Sequence, residues 1–192
     1  VKSLLIAAYY NSKNYDAAYA AIKSFPNPDN DIRAALQKVA MFRAVEAVGK
    51  GDLDSAEQLL AEAAEMNISP KYNALALCWE GEGAYFRWHM DMALESYNSY
   101  VRRAPKGEAE YAMAHYGMGY AHFMSEDMKA AAADFEVFVR DYTSRDSYMY
   151  DAHNRLGDAR YSLREFQKAR RAYNIVASSS SDMRDYANYQ LA

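Results

Sequence analysis

Five alanines, Ala18, Ala56, Ala93, Ala131 and Ala169, follow one another at intervals of 38, 37, 38 and 38 residues. Spacing this regular marks an internal repeat, and a repeat of this length restricts the chain to a stack of similar units. Each alanine has a large residue three places before it (Tyr15, Leu53, Met90, Met128, Phe166) and another four places after it (Ile22, Leu60, Tyr97, Phe135, Tyr173). Offsets of three and four are helical, whereas strands alternate by two. A small residue between two bulky ones suits a helix crossing, where two backbones must approach closely. The expected fold is therefore all-α, an α-α superhelix of about five helical hairpins. Its units lie near 1–28, 29–68, 69–105, 106–143 and 144–181, and 182–192 either opens a sixth unit or caps the fifth.

Turn and cap residues divide the chain into about eleven helices. Asn27-Pro28-Asp29-Asn30-Asp31 separates the first hairpin from the second and supplies N-cap oxygens. Gly49-Lys50-Gly51-Asp52 is a tight turn, because glycine tolerates the left-handed backbone of a helix end. Ser69-Pro70 reads as N-cap and first residue of the next helix. Ala104-Pro105-Lys106-Gly107, residues 143–147 and the serine run 178–181 separate the later hairpins.

Apolar residues make up 51% of the chain, with only 8 glycines and 4 prolines, which suits amphipathic helices rather than disorder. No apolar run approaches the ~18 residues of a membrane span. A net charge of −4 with both signs interspersed argues against a nucleic-acid partner. Arg160, Arg164, Lys168, Arg170 and Arg171 form a local basic cluster, read as a solvated helix face or as a surface for an acidic partner. The single cysteine, Cys78, allows no internal disulfide and no metal-ligand spacing. The chain starts at Val1 and stops within a helical pattern, so it reads as a piece of a longer protein.

The fourth unit carries His115, Met118-Gly119, His122, Ala131, Phe135 and Phe138, and the fifth His153, Leu156-Gly157, Arg160, Ala169, Tyr173 and Val176. This pattern resembles the tetratricopeptide repeat: a bulky residue, Leu-Gly and an aromatic on the first helix, then alanine and aromatics on the second. Ile6 and Ala44 stand in the glycine place in the first two units, and the period exceeds the family's ~34 residues. Long first helices and residues 135–173 resemble bacterial envelope members of that family. The resemblance implies a right-handed solenoid and favours a periplasmic or outer-membrane-associated setting over the cytoplasm.

It also implies a concave groove, lined by the first helices, that binds a peptide or an amphipathic helix. The residues carried to that groove are Lys38, Met41 and Val45 in the second unit, and Leu75, Cys78, Glu82, Tyr85 and Phe86 in the third. Met113, Tyr116, Tyr120, Phe123 and Met124 follow in the fourth, and Asp151, Asn154, Asp158, Tyr161 and Ser162 in the fifth. Tyr85, Tyr116, Tyr120 and Phe123 are equally readable as packing between repeats. The Lys, Asn and Arg clamp that some family members close on a terminal carboxylate is missing, with Met41, Cys78, Tyr116 and Asn154 in its place.

His115, His122 and His153 occupy the bulky interior places and read as hydrogen-bonded packing residues. No nucleophile motif, phosphate loop or metal spacing occurs; Asp151, Asn154 and Asp158 form the nearest polar constellation. The sequence thus reads as a non-catalytic protein–protein interaction scaffold that needs no cofactor or metal, takes a protein or peptide partner and does not itself insert into a membrane. The alternative is a regulatory or sensor segment of a larger signalling or enzymatic chain.

Overall fold

The structure is a computed structural model that describes residues 11, 13–104 and 107–192; among these there are ten helices and no strand. In chain order they are α1 (Tyr15–Lys23), α2 (Asn30–Lys50), α3 (Leu53–Met66), α4 (Pro70–Phe86), α5 (Met90–Val101), α6 (Ala109–Met124), α7 (Met128–Asp141), α8 (Ser147–Ser162), α9 (Phe166–Ala177) and α10 (Arg184–Leu191). The chain divides into two compact units, Val1–Arg87 and Trp88–Ala192. In the first unit α1 packs on α2, α2 on α3 and α4, and α3 on α4. In the second, each of the helices from α5 to α10 packs on the next. The fold is all-α with sequence neighbours paired, the arrangement expected of an α-α helical repeat. Ile6 and the Pro105-Lys106 break lie outside the described residues.

The alanine ladder marks equivalent places. The bulky residue three before each alanine is the first residue of α1, α3, α5, α7 or α9. All five alanines are at most 2% exposed, and Ile22, Leu60, Tyr97, Phe135 and Tyr173 are buried with them. Ahead of each of these helices one residue takes the left-handed conformation: Lys13, Gly51, Trp88, Glu126 and Arg164, with φ of 56°, 76°, 62°, 62° and 60°. These residues repeat the intervals of the ladder, five places upstream. Only one is glycine, so the other four carry the steric penalty of that conformation. The next residue is the N-cap in every case. Asn14, Asp52 and Asp127 accept a backbone N–H there, whereas His89 and Glu165 make no side-chain cap bond.

Side-chain size sets how closely paired helices approach. A Cβ added at Gly119 would lie 2.8 Å from the Phe135 ring, and one at Gly157 2.4 Å from the Tyr173 ring. In the first unit Ala44 shares a core cluster with Leu60, where an aliphatic side chain replaces the aromatic ring. The first unit also buries Gln37 completely. Its Nε2 donates to the Ala63 carbonyl (2.8 Å) and to Asn73 Oδ1 (2.7 Å), and its Oε1 accepts the Ser69 N–H (2.8 Å). Gln37 therefore fixes the α3–α4 connection, while Ser69 occupies the N-cap place without a side-chain cap bond. At the other end, Ala187 of α10 is buried against Ala169, Tyr173 and Val176.

Candidate functional site

Within the second unit, α6, α8, α9 and α10 meet through two aspartates of α8. Asp151 Oδ2 accepts the Tyr116 hydroxyl at 2.8 Å and also that of Tyr120. Asp158 Oδ1 accepts the hydroxyls of Tyr173 (2.7 Å) and Tyr186 (2.8 Å). Arg155 sits between the carboxylates, with Nη1 2.6 Å from Asp158 Oδ2 and Nε 3.7 Å from Asp151 Oδ1. Its guanidinium lies over the Tyr186 ring, 5.1 Å from the centroid. The three α8 residues recur at i, i+4 and i+7, so they share one helix face.

Burial, and then the hydrogen bond to an aspartate, pushes the hydroxyls of Tyr116, Tyr120, Tyr173 and Tyr186 above their ordinary range. Burial opposes the charge on Arg155, but Asp158, the tyrosines and Asp151 outweigh it and strengthen the cation. Both carboxylates accept bonds from phenols that stay protonated, so their role in this geometry is to fix ring positions. The Tyr116 ring lies edge-on to Tyr120 at 5.1 Å and tilted against Phe138 at 5.0 Å, and Tyr120 lies edge-on to Phe135 at 5.5 Å.

The expected groove residues fall into columns of differing exposure. Met41, Cys78 and Asn154, at equivalent places, are buried at 1%, 4% and 2% exposure, and only Tyr116 in that column is half-buried. The structure places these three in the interior of their units, where Asn154 donates to the Met183 carbonyl at 3.4 Å. Glu82, Tyr120 and Asp158, one turn later, are half-buried, as are Leu75, Tyr85, Met113 and Phe123. Exposed apolar side chains concentrate at the helix ends, with Phe86 at 54%, Met124 at 45% and Tyr161 at 57%. Tyr161 stands edge-on to Phe166 at 5.4 Å.

His115 is buried, its Nδ1 2.8 Å from Asp134 Oδ1, and His122 Nε2 lies 3.6 Å from Asp134 Oδ2. Asp134 was not legible as their partner because it sits on a different helix, α7. No group of three or more metal-ligating side chains occurs among the described residues, and no helix among them is long and apolar enough to cross a membrane. One member of the basic cluster departs from a solvated face: the Arg160 side chain is 12% exposed and paired with both Glu136 and Glu165. No protein-family model matches the chain, and no curated protein matches it.

Proposed function

We propose that this chain is a non-catalytic interaction scaffold of the tetratricopeptide-repeat class, taking a peptide or an amphipathic helix against its first helices. The observation carrying this proposal is the aromatic surface of α6 and α8. Tyr116 and Tyr120 are half-buried, their hydroxyls are tied to Asp151, and the exposed side chains of Met124 and Tyr161 lie at the ends of the same helices. Rings held in place before binding lose little conformational freedom when a partner covers them, and aromatic anchors carry much of the energy of such contacts. An amphipathic helix presents apolar residues at the three- and four-residue spacing that such a surface accommodates. The likeness of residues 135–173 to bacterial envelope proteins suggests the setting, a segment of a longer envelope protein.

The test uses the two exposed residues, so that loss of binding is separable from loss of fold. The native chain and a Met124→Ser/Tyr161→Ser variant are compared in capture from a bacterial envelope extract and in selection from a library of amphipathic peptides, with helicity monitored by circular dichroism. Ligands retained by the native chain and lost by an equally helical variant support the proposal. Equal capture by both overturns it.

A further inference from the structure

On the opposite side of α8 from the aspartate–tyrosine network, the second unit carries a solvent-open cleft with a cavity volume of about 310 Å³. Its walls are Glu136 of α7, His153, Leu156 and Arg160 of α8, and Lys168, Arg171, Ala172 and Ile175 of α9. His153, Leu156 and Arg160 recur at i, i+3 and i+7, and at roughly 100° per residue they point about 170° away from Asp151, Arg155 and Asp158. The cavity therefore stands apart from the proposed groove and does not depend on that proposal.

We propose that this cavity binds a carboxylate attached to a small apolar body. Three cations and two carboxylates meet at and beside its wall. Arg160 is held by Glu136 and Glu165, and Lys168 shares Glu165 at 3.2 Å. No carboxylate pairs with Arg171 among the described residues, so one positive charge is uncompensated, and α9 carries no acidic residue to offset it. His153 Nδ1 and Arg160 Nε are both buried without a hydrogen-bond partner, so two of the wall residues carry polar atoms that the protein itself leaves unsatisfied. Burial holds the His153 pKa below its ordinary value, so the ring adds no positive charge to the wall at pH 7.

One spare cation and a neutral imidazole match a monoanion. A phosphate dianion would bring a second negative charge toward Glu136. Leu156, Ala172 and Ile175 supply the apolar wall, and the volume lies at the lower end of small-molecule sites. The same chemistry is offered by a free carboxylate metabolite and by a glutamate side chain on a partner.

The test is a titration of the 15N-labelled chain, followed by NMR, with benzoate, its neutral analogue benzamide, inorganic phosphate and an end-blocked glutamate-containing peptide at matched ionic strength. Saturable shifts are expected for a carboxylate ligand, centred on the residues of the cavity wall, and not for benzamide. Arg171→Gln, at an exposed position, is expected to retain the native helicity and to weaken carboxylate binding roughly threefold to fivefold. Tighter binding of benzoate assigns the cavity to a free carboxylate, and tighter binding of the peptide to an acidic side chain. Equal response to benzamide, unchanged binding in the arginine variant, preference for phosphate or no saturable shift with either carboxylate overturns the proposal.

Discussion

Asp151 and Asp158 show how one carboxylate can organise several aromatic rings. Removing the acceptor takes a charged hydrogen-bond partner from two half-buried phenols, and hydrogen bonds to charged groups contribute about 1.5–3 kcal/mol. Asp151→Ala is therefore expected to lower unfolding stability by about 2–3 kcal/mol, and Tyr120→Phe, which keeps the Tyr116 bond, by about 1 kcal/mol or less, as read by urea denaturation. The same contacts set an alkaline limit. Tyr116, Tyr120 and Tyr173 ionise above the ordinary tyrosine value of 10.0 when folded, so the folded chain keeps protons that the unfolded chain has released. Their contribution is complete below pH ~10 and declines as pH rises beyond it. Absorbance at 295 nm should rise in two stages, exposed tyrosines first and these three together with unfolding; a single stage with retained helicity would contradict the network.

The recurring element is a helix-to-helix turn in which a left-handed residue precedes an N-cap and a first helical residue. Arg164 takes this conformation with φ of 60°. Glycine adopts it without the side-chain penalty but loses more freedom on folding, so Arg164→Gly should stabilise the chain by about 0.5–1 kcal/mol, read as a raised midpoint of thermal unfolding. Where the paired helices cross, Gly119 faces the Phe135 ring. Gly119→Ala should destabilise by about 1–3 kcal/mol because the added methyl overpacks the crossing. Combined with Phe135→Leu, which recreates the Ala44 and Leu60 pairing of the first unit, the methyl should cost less, and a double-mutant cycle should return a coupling above ~0.5 kcal/mol. Additive effects would show that ring size does not set the crossing.

At the scale of the whole molecule, the second unit has core clusters of its own, around Phe135, Phe138 and Leu156 and around Tyr173, Val176 and Ala187. A fragment spanning 88–192 is expected to be helical and to melt cooperatively by circular dichroism; a non-cooperative melt would show that its clusters do not suffice. The alanine ladder by itself determined the all-α class and the period, because a buried small residue beside a bulky one leaves a local pattern, whereas the structure placed the starts of α1, α3, α5, α7 and α9 three residues before each alanine. The left-handed turns share that period but were legible only at Gly51, since lysine, tryptophan, glutamate and arginine carry no signal for positive φ. Repeat position placed Asn154 and Cys78 on a binding surface, and the tertiary structure put them inside, because burial depends on what the neighbouring helix presents. The bonds of Asp134 to His115, of Gln37 to the α3–α4 connection and of Asp158 to Tyr173 and Tyr186 were likewise decided by tertiary structure alone. Local spacing states which residues share a helix face, whereas partners drawn from separate helices are chosen only when those helices pack.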